Sequence, residues 1–84
     1  MTGMLAISRA GHDQGTVYVI TDEEDEYVYL ADGQLKTVDR PKKKNKKHIQ
    51  AIKKIRIDRP ADSFKDLEIK RVIKTFQEGA NVKS

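Results

Sequence analysis

Apolar and polar positions follow two rhythms along this chain, period two up to about residue 57 and a helical period beyond it. The run MLAIS at 4–8 is apolar and precedes a polar loop at 10–15 that contains Gly11 and Gly15. TVYVIT at 16–21 is rich in β-branched and aromatic residues, with Val17 and Val19 on one side and Tyr18 and Ile20 on the other. YVYLA at 27–31 alternates again and sets Tyr27 and Tyr29 opposite Val28 and Leu30. These three runs are predicted strands.

Asp32-Gly33 is a strong turn signal, because a two-residue type I′ turn needs positive φ at both central positions. It predicts a fourth strand at 35–38, running back antiparallel to 27–31 and ended by Pro41, which has no amide donor. A basic loop, RPKKKNKK at 40–47, follows. Ile49, Ala51, Lys53, Ile55 and Ile57 then recur with period two, so a fifth strand is expected within 48–57. Lys53 on its apolar side marks a break or bulge. After Arg59-Pro60 the period changes. Ile69, Val72, Ile73 and Phe76 form one stripe at i, i+3, i+4 and i+7, predicting a helix over 63–78 with Gly79 as its stop. Asp66 and Glu68 near its start, with Lys70, Arg71 and Lys74 later, suit the helix dipole. Phe64 and Leu67 fall off the stripe and are expected to anchor the first turn. The pattern reads as one mainly β domain, a small five-stranded barrel over 1–58 with a C-terminal helix over 59–84 packed on it.

Composition narrows the function. A chain of 84 residues buries only about 60–65% of its unfolded surface, so one modest core consumes most apolar side chains and leaves little for an enclosed substrate cavity. Surface recognition is expected in place of a small-molecule substrate. The absence of cysteine excludes disulfides, thiolate chemistry and cysteine-ligated zinc. His12 and His48 have no metal-ligand spacing around them, and the acidic run DEEDE at 22–26 lacks the glycine and alternation of an EF-hand loop. Ser8, His12 and Asp13 lie close in sequence without the pattern of a triad. No catalytic residue, metal or cofactor is expected. No run reaches the roughly 18–20 apolar residues of a membrane span, so a cytoplasmic protein without a membrane partner is expected.

Charge carries the positive signal. The net charge is +4, and its distribution matters more: RPKKKNKK holds six basic residues in eight, and Lys53, Lys54 and Arg56 follow without an intervening acid. Such a cluster between two predicted strands points to phosphate, hence to nucleic-acid contact through Arg40, Lys42, Lys43, Lys44, Lys46, Lys47, His48, Lys53 and Lys54. A solvated solubility face or a localisation signal is the bland alternative for a lysine run. Arg9 and His12 flank the glycine turn and are further candidates for backbone contact. Gly11, Gly15, Asp32 and Gly33 are read as structural turn positions. Tyr18, Tyr27 and Tyr29 are either base-stacking platforms or cross-strand packing partners.

MLAISRAGHDQGTVYVI resembles the KOW motif, a β-turn-β unit with a key glycine closing its turn, here Gly15. The continuation YVYLADGQLKTVDRPKKKNKKHIQ resembles the KOW-domain RNA-binding family that includes the ribosomal protein fourteen type of archaeal and eukaryotic large subunits. The resemblance covers roughly residues 3–52. It implies an SH3-like barrel without catalytic activity, bound to structured or ribosomal RNA, with ribosomal proteins as neighbours in the latter case. By position, Arg9, His12 and Asp13 belong to the motif's turn, and Lys42, Lys43, Lys44, Lys46, Lys47 and His48 to the segment facing RNA. KOW barrels of transcription machinery also bind proteins, so an interaction barrel of the transcription or translation apparatus is the alternative.

Overall fold

A computed structural model describes residues 1–82, with side chains described to residue 79. Five antiparallel strands, β1 (Met4–Ser8), β2 (Val17–Glu23), β3 (Tyr27–Ala31), β4 (Lys42–Asn45) and β5 (Ile49–Arg56), form one sheet in the order β4-β3-β2-β1-β5. One helix, α1 (Asp66–Val82), follows a short 3-10 turn at Ala61–Ser63. The expected fold class, mainly β with a single C-terminal helix, is the one the chain adopts. Residues 83 and 84 of the expected helical segment 59–84 lie outside the described residues.

Both faces of the sheet are covered, which explains why the first five residues of β2 are all buried. Leu5, Val17, Val19 and Ala31 meet Phe64, Ile69 and Ile73 from the α1 side. Each of these side chains larger than alanine contributes about 1.5–3 kcal/mol when fully buried. On the other face Ala6, Tyr18, Ile20, Val28, Leu30 and Ile49 form a second cluster. Ile49 belongs to one edge strand, yet it packs with Val28 and Leu30 of β3, three places away in the strand order. The sheet therefore curls on itself into a small barrel, and a 3-10 turn at Lys46–His48 joins β4 to β5.

Ile20 faces Leu30 directly across the β2–β3 ladder, so Tyr18 and Ile20 share the interior with Val28 and Leu30, while Val17 and Val19 face α1. Tyr18 is thus a core residue, and only Tyr27 and Tyr29 point outward. A register shift between Ile20 and Asp22 re-aims the end of β2. In β5, Leu5 pairs with Ile52 and Met4 with Arg56, so Lys53, Lys54 and Ile55 bulge out, in keeping with the polar Lys53 on the apolar side of the pattern.

The fourth strand is not at 35–38. Among the described residues no non-glycine residue has positive φ, so Asp32 cannot occupy a type I′ turn. Its carboxylate instead accepts from the amides of Gln34 and Lys36, each at 2.9 Å, and its own amide donates to the Lys36 carbonyl at 2.8 Å. This closes a wider loop that leaves Leu35 exposed and carries the Val38 amide to Asp66 Oδ1 at the head of α1, 2.8 Å away. The partner of β3 is the lysine run itself. The expected basic loop 40–47 is therefore an edge strand followed by a 3-10 turn, with only Arg40 and Pro41 left in the preceding loop.

The helix also differs at both ends. It begins at Asp66, and Phe64 anchors its approach from the preceding segment, while Leu67 is exposed. Gly79 does not stop it. Its φ is not positive, and α1 runs on to Val82.

Candidate nucleic-acid interface

The β1–β2 turn is closed by the Ser8 amide donating to the Thr16 carbonyl and the Gly15 amide to the Ser8 carbonyl, at 3.0 and 2.8 Å. Gly15 sits at φ +91° with nothing near the position a Cβ would take, so its need for glycine is conformational alone. Gly11, at φ +85°, makes the other corner. Arg9 and His12 are exposed on this turn. The Arg9 amide donates to the His48 carbonyl at 2.8 Å, which brings the glycine turn beside the 3-10 turn carrying Lys47 and His48, both exposed.

Strand geometry splits the lysine run, because successive side chains leave opposite faces. Lys42 and Lys44 turn toward Asp13. Lys44 Nζ donates to Asp13 Oδ1 at 2.7 Å and to the Ala10 carbonyl at 2.8 Å, and its side chain is only 10% exposed. Lys42 Nζ donates to Asp13 Oδ2 at 2.9 Å. The Tyr18 hydroxyl also donates to Oδ2, at 2.7 Å, and Ser8 Oγ lies 2.9 Å from Oδ1. Ser8 Oγ is also 3.1 Å from the Ala10 carbonyl, and its single proton serves one acceptor at a time. Two oxygens thus face four side-chain partners, which saturates the carboxylate. Lys43 leaves the opposite face and lies over the Tyr27 ring, 4.5 Å from its centroid, in a cation–π contact. Lys46 pairs with Glu23 at 2.7 Å.

The candidates therefore separate. Arg9, His12, Lys43, Lys47 and His48 present accessible cationic or polar groups around the glycine turn and the edge strand. Lys42, Lys44 and Lys46 are engaged in internal ion pairs, with the single charge of Asp13 shared by two lysines and that of Glu23 by Lys46 and the Met1 amino group. Arg40 is exposed at the end of the β3–β4 loop, its amide donating to the Thr37 carbonyl. Lys53 and Lys54 bulge out at the Met4 end of β1, about 13 Å along that strand from Ser8, and do not join the glycine turn. Asp32 and Gly33 build the β3–β4 loop against α1. The role of Asp13 as the tie between the turn and β4 does not follow from sequence reasoning. The only signal is its place in the turn, since a uniform KKK run offers no polar–apolar contrast from which to read the strand period.

Burial alone would raise the Asp13 pKa, but hydrogen bonds from Lys44, Lys42, Tyr18 and Ser8 outweigh it and hold the carboxyl well below the ordinary carboxylate range. Burial first, and Asp13 second, push the Tyr18 hydroxyl well above its ordinary value. Glu23 is drawn down to about 2 by Lys46 and then by the Met1 amino group. Below the unfolded-state value of about 3.9, the folded chain holds fewer protons at Asp13 than the unfolded chain. Stability present above that pH is therefore lost progressively as pH falls toward the depressed folded value, with Glu23 acting in the same direction. At the alkaline end Tyr18 favours the folded chain until pH passes about 10, and its contribution is lost as pH rises further. Urea melts across the acid range check this. Asp13→Asn must flatten the dependence below about pH 4, and an unchanged profile would remove Asp13 as its source.

No group of three or more His, Asp or Glu among the described residues is placed to hold a metal ion. No helix among them is long and apolar enough to cross a membrane. In comparisons with known proteins, no family profile and no curated protein matches this chain.

Proposed function

We propose that this chain is a non-catalytic RNA-binding barrel of the KOW type, acting on structured or ribosomal RNA in the cytoplasm. The observation that carries this reading is the set of exposed cations on the glycine turn, the adjoining 3-10 turn and the outer face of the edge strand. Arg9, Lys43 and Lys47 have no carboxylate within ion-pair distance among the described residues. They stand on a turn, an edge strand and a 3-10 turn joined by backbone hydrogen bonds. Tyr27, 36% exposed beneath Lys43, adds an aromatic surface on which an unpaired base can stack. Because backbone hydrogen bonds hold the elements that carry these cations, the site favours a ligand whose phosphates are themselves held at fixed spacing.

Fluorescence anisotropy with a labelled RNA hairpin across a salt series tests the reading. Arg9→Gln, Lys43→Gln and Lys47→Gln together are expected to lower the slope of log K against log salt by about 2–3, roughly one for each phosphate no longer neutralised. Wild-type protein that fails to bind at about 50 mM salt, where backbone contacts are strongest, would end the proposal. The second reading is a protein-interaction barrel. It is favoured by Leu35, 84% exposed on the β3–β4 loop, and by the exposed acids at 22–26. Nuclease-resistant recovery of a protein partner, abolished in Leu35→Ser, would support it.

A further inference from the structure

A second cationic surface lies on the α1 side of the barrel, in an open groove of about 470 Å³. Its floor is formed by Val17 and Ile73, both buried, and one wall by the Asp32–Gly33–Gln34 turn. The other wall is the helix, which contributes Lys70, Arg71 and Lys74 within little more than one turn. Gly33 approaches the helix so closely that a Cβ there would lie 2.7 Å from Lys70 Cγ, so the aliphatic stem of Lys70 lies along the turn. Such stems cover apolar surface while the ammonium stays in water.

Of the carboxylates near these cations, Asp32, Asp66 and Glu68 bond to other groups, and Glu78, four residues after Lys74, forms no ion pair with it. Asp32 Oδ1 accepts two backbone amides, Asp66 Oδ1 accepts the Val38 amide, and Glu68 pairs with Arg59. Lys70, Arg71 and Lys74 take part in no ion pair among the described residues. Thr16, which lines the groove, directly follows Gly15, so the groove begins where the glycine turn ends. Asp32 keeps its negative charge while bonded to neutral amides, so three cations face one carboxylate and the excess positive charge calls for a polyanion. Continuity with the glycine turn favours the anion proposed to bind there.

We infer that this groove holds the phosphodiester backbone of the same RNA, with Lys70, Arg71 and Lys74 neutralising phosphates beyond those met at the glycine turn. The inference rests on the RNA-binding reading and extends its footprint from one side of the glycine turn onto the helix. Gln34 and Gln77 at the rim supply neutral donors for phosphate or ribose oxygens.

The test uses the full chain in three forms: wild type, a groove variant (Lys70→Gln, Arg71→Gln, Lys74→Gln) and the turn variant (Arg9→Gln, Lys43→Gln, Lys47→Gln). Glutamine keeps helix propensity close to that of lysine and arginine, and thermal melts confirm that each form is folded. The probes are a fluorescein-labelled RNA hairpin and a poly-glutamate peptide. The groove variant is expected to lower the salt slope for RNA by about 2–3, and combining both variants should lower it by about twice that. An unchanged slope in the groove variant, beside a reduced one in the turn variant, overturns the groove and leaves the RNA reading standing. Failure of wild type to bind the hairpin overturns both. Poly-glutamate binding that the groove variant alone abolishes, with RNA affinity unchanged, overturns the RNA assignment in favour of an acidic protein segment.

Discussion

Asp13→Ala is expected to destabilise the fold by about 3–5 kcal/mol, lowering the melting temperature by about 15 °C or more. The cause is what the substitution leaves behind. Lys44, 10% exposed and fixed between Asp13 and the Ala10 carbonyl, becomes a largely buried cation without a counter-charge. The buried Tyr18 hydroxyl loses its acceptor in the same step. Lys42, 34% exposed, can turn to water and adds less. Because the loss comes from the orphaned charge, Lys44→Met should rescue part of it. The double variant Asp13→Ala with Lys44→Met is expected to be more stable than the sum of the two single losses, by about 1–3 kcal/mol. Strict additivity in denaturant melts would show that the pair is not coupled. Asp25→Ala, exposed in the acidic run, serves as a control and should change stability by less than about 0.5 kcal/mol.

Gly33→Ala should rank second, with a loss of about 2–4 kcal/mol. Its φ of +80° lies in the left-handed region, where an L side chain is strained. A Cβ there would also overlap the Asp66 carbonyl oxygen, which belongs to the helix backbone and cannot move aside as a flexible side chain can. The chain must then either lift the loop or displace α1 from Val17, Val19 and Ala31. Gly15→Ala supplies the comparison. Gly15 has nearly the same φ but open space around it, so only the conformational cost of about 1–2 kcal/mol applies. Equal melting temperatures for the two variants would remove the helix contact as the reason for Gly33. A weaker groove-side salt slope in Gly33→Ala, measured with the RNA hairpin, is expected alongside the stability loss.

These two residues also show how far the sequence can be read. The rhythm of 4–8, 16–21 and 27–31 locates three strands, and the stripe from Ile69 to Phe76 locates the helix, since both patterns reflect burial of alternate or every third to fourth residue. The Lys53 anomaly in the fifth strand correctly marks a bulge. The fourth strand is displaced from 35–38 because Asp-Gly does not act as a local two-residue turn. Asp32 instead bonds within its own loop, and that loop is held by Asp66, 28 residues beyond Val38. Tyr18 parts company with Tyr27 and Tyr29 because alternation assigns relative sides within a strand and not which side meets which core. With a helix on one face and a curled sheet on the other, both sides of β2 are interior.

The lysine run shows the same division. The sequence alone establishes a concentrated positive charge at 40–47, because charge is a property of residue type and survives any fold. Which lysines are available depends on pleating the run into an edge strand against β3 and on a carboxylate 29 residues before Lys42. Pleating sends Lys42 and Lys44 to Asp13 and leaves Lys43 over Tyr27, a difference that near-identical side chains cannot encode by type. The sequence by itself thus determined the fold class, the helix and the sign of the surface. Only the tertiary structure decided which charges are spent inside the molecule, because an ion pair depends on distances between segments far apart in the chain.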